Sequence, residues 1–368
     1  MTGWREVRLG DVATITAGGD APKNAFSKTK TDEFTIPVYS NGISDKGLYG
    51  YTNKAIITKP ATTISARGTI GAVFKRTEPY LPIVRLISVI GDESVVDSDF
   101  LYYALCNTRI EGDGSVQAQL TVPMISNYYI AIPSMQEQKR IARILSSLDD
   151  KIEVNNQINR NLEEQAFSFY NTLIKEAKQQ CELNSVAVLN PARSLQKESV
   201  ALCIDMAQLS TSSAYPNQGI YKSYGGGMKF QNGDTLLARI TPCLENGKTA
   251  YIDFLKDGEI AFGSTEYIVL SSRGKMPSQF FYCLARDKRF RDFATKHMNG
   301  SSGRQRVSAD ALEKYMIPSI SNEDMRLFGQ NVEPLFRLMR QKADENIRLS
   351  SLRDTLLPKL MSGEINLS

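Results

Sequence analysis

The chain has 368 residues, too many for one hydrophobic core, so two or more domains are expected. A single histidine, His297, excludes most His-based catalysis and any multi-histidine metal site, while five cysteines without C-x-x-C spacing suit a reducing cytoplasm. The net charge of +4 lies in residues 181–320, with 17 Lys and Arg against 13 Asp and Glu, a balance compatible with a polyanion partner without demanding one.

Residues 1–9 carry charges and a tryptophan where a signal peptide needs an apolar segment, and no apolar run is long enough to span a membrane. Residues 7–15 form a short apolar element running into Gly18-Gly19-Asp20. Residues 36–39, 55–58, 62–65 and 82–87 follow, rich in β-branched and aromatic side chains and broken by Gly, Pro and Asn, which predicts a mostly β domain with long loops. Residues 99–109 read as a helix with Phe100, Tyr103 and Ala104 on one face. Residues 129–132 close this globule, placed at 1–135, and Pro133 marks its boundary.

A long helix is predicted over 136–180. Leu148, Ile152, Asn155, Asn159, Leu162, Ala166, Phe169 and Leu173 recur at alternating steps of four and three, the heptad spacing of a coiled-coil seam. Adding 187 to each gives Leu335, Met339, Lys342, Asn346, Leu349, Arg353, Leu356 and Leu360, so a second such helix is predicted over 321–368. The intervening globule, 181–320, repeats the first. Leu183, Val186 and Ala187 match Leu9, Val12 and Ala13 at an offset of 174, and Ala238-Arg239 matches Ala66-Arg67 at 172. Phe280 and Tyr282 match Phe100 and Tyr102 at 180, and Ile317-Pro318-Ser319 matches Ile132-Pro133-Ser134 at 185. The pattern is a tandem duplication: globule, helix, globule, helix. Pro334 inside the second helix predicts a kink or a late start there.

The fold expected is α+β, with two mostly β domains at opposite ends of an antiparallel two-helix coiled coil and an internal pseudo-two-fold repeat. The seam from Leu148 to Leu173 spans roughly 39 Å at about 1.5 Å per residue, close to the roughly 34–36 Å turn of B-DNA. Asn155, Asn159, Lys342 and Asn346 interrupt it. A register-fixing role and a partly solvated helix pair that tolerates polar residues account for them equally well.

No catalytic constellation emerges. Gly247-Lys248-Thr249 ends like a phosphate-binding loop, but its leading glycine is replaced by Pro242, which lacks the N–H such loops aim at phosphate. Glu137-Gln138-Lys139 reads as a solvated helix turn, Gly225-Gly226-Gly227 as a flexible loop, and Asn190-Pro191-Ala192-Arg193 breaks off before an amino-methylase motif is complete. His297 reads as a surface histidine. Binding chemistry remains. In the first globule Asn41, Lys46, Tyr49, Tyr51, Lys54, Arg67, Gln117 and Gln119 are candidates to contact DNA. In the second they are Lys222, Tyr224, Lys229, Arg239, Asn246, Lys248, Arg304, Gln305 and Arg306. Arg and Lys suit guanine or phosphate, Asn and Gln suit adenine, and aromatic rings stack or pack on sugars.

Several stretches together resemble the specificity subunit of type I restriction–modification enzymes. They are Ile132-Pro133 followed by Gln136-Glu137-Gln138-Lys139-Arg140-Ile141-Ala142, then Leu148-Asp149-Asp150-Lys151-Ile152 and Asn159-Arg160-Asn161-Leu162-Glu163. The run from Ala238-Arg239 to Gly247-Lys248, its echo Ala66-Arg67-Gly68-Thr69-Ile70-Gly71, and the closing run from Leu356 to Ile365 complete the likeness. The resemblance implies two target-recognition domains reading a split double-stranded DNA sequence and helices that set the gap. It also implies docking of two methylase (modification) subunits that hold S-adenosylmethionine, and of restriction/translocase subunits that use ATP and Mg. The chain itself would hold no cofactor and catalyse nothing. The competing reading is a non-catalytic protein-assembly scaffold without sequence-specific DNA reading.

Overall fold

The computed structural model describes residues 3–112, 119–176, 179–301, 303–365 and 367. Its helices are α1 (Leu9–Val12), α2 (Ser98–Asn107), α3 (Val122–Ser126), α4 (Met135–Glu176), α5 (Ser278–Arg286), α6 (Lys288–Lys296), α7 (Ala309–Glu313) and α8 (Asn322–Met361). With the strands below they make an α+β chain. It divides into two units, one of residues 1–150 and 350–368, the other of residues 151–349.

In the first unit Arg5–Arg8 pairs antiparallel with Tyr129–Ile132. A four-stranded sheet follows in the order Ala13–Ala17, Ile87–Gly91, Ala61–Ile64, Val73–Arg76, and a second sheet in the order Phe26–Ser27, Leu48–Thr52, Ile36–Tyr39, Leu81–Pro82. The Asp97 carboxylate starts α2 by accepting the Asp99 and Phe100 N–H groups that have no partner inside the helix. Leu9, Ile64, Phe100 and Ile132 are fully buried in one core with Leu145 of α4 and Leu360 of α8. Burying each such side chain contributes about 1.5–3 kcal/mol. The two long helices run antiparallel here: Arg140 donates to the Leu367 carbonyl at 3.1 Å, and Arg353 to Asp149 at 2.6 Å.

The second unit repeats the plan. Gln180–Glu182 pairs with Met316–Pro318, and the four-stranded sheet runs Ala187–Leu189, Tyr267–Ser272, Thr235–Ala238, Thr249–Tyr251. Its other sheet runs Ile220–Ser223, Val200–Ile204, Ala261–Gly263, Met228–Phe230. The parallel pair Ile36–Tyr39 with Leu81–Pro82 thus recurs as Val200–Ile204 with Ala261–Gly263. Inside this unit α4 and α8 are again antiparallel. Asn155 bonds to Asn346, Glu163 takes the hydroxyl of Tyr282 whose ring packs on Phe336, and Tyr170 packs on Phe280, which touches Phe328.

The strand registers correct two of the sequence matches. Ala13 pairs with Gly91 as Ala187 pairs with Ser272, which sets Thr62 against Thr235 and Ala66, not Arg67, against Arg239. The Ala66 carbonyl accepts the Leu120 N–H and the Arg239 carbonyl accepts the Val307 N–H, each at 3.0 Å, in agreement. From Leu120 onward the offset is 187 throughout. Leu9 N–H meets the Tyr128 carbonyl as Leu183 N–H meets that of Tyr315, and Ser134 and Ser321 each cap a long helix. Ile317 therefore corresponds to Ile130, and the Ile-Pro-Ser match is two residues out. A two-residue slip keeps every strand side chain on its own face, so the pattern alone does not reveal it.

The helix seams need two further corrections. Phe169 is 40% exposed, while Tyr170 is 2% exposed and takes the buried position between Ala166 and Leu173. Here α4 packs on α5 and on Asp287 as well as on α8, which rotates the buried stripe. On α8, Val332, Phe336 and Met339 are buried, and Leu335 is half-buried. Nor does α8 start late: the Ser321 hydroxyl accepts the Asp324 N–H and bonds its carboxylate, a capping arrangement that begins the helix at Asn322, and it continues through Pro334. At the polar middle the Asn155 amide donates to Glu345 at 3.0 Å and to Asn346 at 2.9 Å, and Asn346 donates to Asn156 at 2.8 Å. Leu148, Ile152, Leu349 and Leu356 are half-buried, and Leu162 and Leu173 are buried.

Candidate nucleic-acid interface

In the second unit the chain leaves the strand Thr235–Ala238 and meets the loop 299–306. Thr241 N–H donates to the Gln305 carbonyl, Gln305 N–H donates to the Thr241 hydroxyl, and Arg306 bridges to both Ile240 and Asn299. Gly300 and Gly303, at φ +127° and +79°, supply left-handed turns that a side chain would strain. The Arg306 guanidinium grips Glu266 with Nε at 2.9 and 3.0 Å and Nη2 at 2.7 Å, and its Nη1 donates to the Arg304 carbonyl. That bonding holds the Glu266 carboxyl below the usual carboxylate range. Arg306 is therefore committed to shaping the loop, and Arg304 is its exposed cation, with Gln305 half-buried. Arg239 Nε is buried without a hydrogen-bond partner among the described residues.

The other candidates of this unit divide. Lys248 turns inward and donates to the Met206 carbonyl at 2.8 Å, while Asn246 is exposed on the turn beside it. Lys222, on an exposed strand, pairs with Asp205 at 3.0 Å. Tyr224 packs edge-on against Phe262, and Lys229 stands 5.7 Å over the Tyr224 ring.

In the first unit Arg67 and Gln119 are brought together, the guanidinium donating to the side-chain carbonyl at 3.0 Å. Asn41 uses its amide inside the fold: it accepts the Ala66 N–H at 2.7 Å and donates to the Val84 carbonyl. Tyr49 is 41% exposed and carries the Lys28 ammonium 3.7 Å over its ring. Tyr51 is half-buried, and Lys46 and Lys54 are exposed. Gln117 lies outside the described residues. Lys28, Glu266 and Arg76, which stacks on Tyr39 at 3.5 Å, escaped the sequence reading because no local motif marks them. Among the described residues no group of three His, Cys, Asp or Glu could hold a metal ion, and no helix is long and apolar enough to cross a membrane. The arrangement offers cations, amides and aromatic faces on loops and strands, which suits recognition of base edges and phosphates.

A family model described as "Type I restriction modification DNA specificity domain" matches residues 1–164. A Mycoplasma pneumoniae chain named type I specificity subunit S.MpnORF89P is 37% identical over 153 residues, 40% of this chain and 45% of that one. The C-terminal part of S.MpnORF289P from the same organism is 42% identical over 98 residues, 27% of this chain and 67% of that one. The chain thus spans less than half the length of the first relative. The crystal structure of a type I restriction–modification S subunit from M. genitalium shares the fold at a TM-score of 0.61 and 17% identity, over 97% of this chain and 96% of that one. With 42% identity to a type I specificity chain over 67% of that relative's length, this chain belongs to the type I restriction–modification DNA specificity family.

Proposed function

We propose that this chain is a DNA-sequence specificity subunit in which each unit reads one half of a bipartite double-stranded target. What carries the reading is the recurrence of one strand order with a loop that returns to the same strand end, Leu120 donating to the Ala66 carbonyl in one unit and Val307 to the Arg239 carbonyl in the other. The finer architecture belongs to the same proposal. The antiparallel α4 and α8 set the spacing between half-sites. The chain has no catalytic centre; two methylase subunits dock on it and hold S-adenosylmethionine, and restriction subunits bring ATP and Mg chemistry. The Asn155–Asn346 bond supports the ruler, because a slipped register strands the buried Asn155 amide nitrogen that the native register satisfies with Glu345 and Asn346.

Mapping base modification in cells carrying this chain and its methylase tests the reading. Methylated adenines in a split motif with a fixed spacer are expected. Modification at one contiguous motif, or binding to the partners without sequence preference across salt concentrations, overturns it.

A further inference from the structure

The turn 242–248, besides its link to the loop 299–306, meets α5 and α6 through Gly247. Gly247, at φ +74°, has no side chain, and a Cβ there would meet Arg291 Nη1 at 2.6 Å and Arg286 Nη1 at 3.6 Å. Two guanidinium groups therefore converge on one bare glycine. Arg286 is spoken for: its Nη1 donates to the carbonyls of Thr211 at 2.7 Å and Gly247 at 3.1 Å, and its Nε stands 3.4 Å from Glu163. Arg291 is not. Its Nε is buried with no hydrogen-bond partner among the described residues. The carboxylates closest in charge are Asp287, held by Arg289 and by the Tyr170 hydroxyl, and the exposed Asp292. Burial and the neighbouring Arg286 both hold the Arg291 pKa below the ordinary arginine value. A half-buried cation beside a like charge, with a buried donor unmet, is costly in the protein alone. It becomes favourable once an oxyanion accepts from the Nη groups, which are not among the buried atoms left without a partner, because the anion offsets the like charge of Arg286 and the planar fork of arginine suits the paired oxygens of a phosphate.

We propose that Arg291, set against Gly247 and Arg286, is a phosphate-binding site of the second unit and takes a backbone phosphate of bound DNA, an assignment that rests on the DNA-reading function above. The site works by charge and shape, so it contributes affinity without sequence preference. It is distinct in kind from a nucleotide-binding loop: the anion is held by side chains, and Pro242 at the start of the turn is no obstacle.

The test uses the full chain assembled with its methylase partners and measures DNA affinity for cognate and unrelated duplexes across a salt series. Arg291→Gln is expected to weaken both duplexes by about the same factor, on the order of tenfold at low salt, and to reduce the slope of log affinity against log salt by about one. Arg291→Lys, which keeps the charge, is expected to retain the slope. Melting of Arg291→Gln at or above the wild-type temperature marks a ligand site; a lower melting temperature with wild-type DNA affinity marks a structural arginine and overturns the proposal. A parallel arm adds inorganic phosphate at constant ionic strength. If phosphate raises the melting temperature of the wild type alone while Arg291→Gln binds DNA normally, the site takes free phosphate and the DNA assignment falls. If the wild-type assembly modifies a split motif normally and the variant keeps its salt slope, the assignment fails and the DNA-reading function stands. A wild type without DNA affinity at any salt overturns both.

Discussion

Asp253 follows the strand Thr249–Tyr251, and its carboxylate accepts the Tyr215 hydroxyl at 2.8 Å. The same hydroxyl faces the Phe336 carbonyl at 2.9 Å, so one proton stands between two acceptors. The second carboxylate oxygen is buried without a partner among the described residues. Protonating Asp253 resolves the shortage: its O–H donates to Tyr215, and Tyr215 donates to Phe336. Burial accordingly pushes its pKa to about 6, against the pull of Tyr215 and Arg340 and with a small push from Asp344. The folded state then holds a proton that the unfolded state releases near pH 4. Stability from this group is fully present below the unfolded pKa, falls as pH rises towards 6, and is gone above it. A shift of about two pKa units corresponds to about 3 kcal/mol. Asp253→Asn mimics the protonated acid, so at pH 7.5 it should be more stable than wild type by about 2–3 kcal/mol, with the gap closing near pH 4. Urea unfolding at pH 4, 5, 6 and 7.5 reads this directly. An asparagine variant less stable at pH 7.5, or a gap that does not change with pH, refutes the reasoning.

Asn155→Ala should cost about 1–3 kcal/mol by leaving Asn346 and Glu345 without a buried donor, and a double-mutant cycle with Asn346→Ala should show strong coupling in denaturant unfolding. Tyr170→Ala should cost about 3–5 kcal/mol, whereas Phe169→Ser should stay within about 0.5 kcal/mol; equal costs would restore Phe169 to the seam. Inserting one heptad into both α4 and α8 adds about 10 Å, so modification mapping should show a spacer longer by about 3 base pairs with both half-sites unchanged. An unchanged spacer would end the ruler role.

The doubled plan was legible because a heptad seam and its copy 187 residues on leave a long, regular trace. The carboxylate pairings were not: Glu163 with Tyr282, or Asp149 with Tyr103 and Arg353, join residues with no local pattern to connect them. Phe169 looked buried because a strict alternation of four and three assumes one partner helix, and α4 has more than one neighbour. The late start that Pro334 suggested does not occur because Ser321 and Asp324 form a helix cap that begins α8 at Asn322. Among candidate contacts, sequence chemistry picked out polar residues but not their commitments. Asn41, Lys248 and Arg306 all spend donors inside the protein, and Arg304 does not show this use.

Leu360 and Met361 lie in the same core as Leu9, Phe100 and Ile132, all within the first unit. A ribosome makes these two groups at opposite ends of its passage along this stretch of message, with the whole of residues 151–349 emerging in between. The first unit therefore leaves the exit tunnel early but waits, its apolar face uncovered, until the last turns of α8 arrive. Synthesis arrested before α8 would yield a second unit lacking its helix partner and a first unit with an open core, both prone to capture by chaperones. Closure of the first unit thus waits for residues 350–368, whereas the second, residues 151–349, is continuous and can close ahead of it.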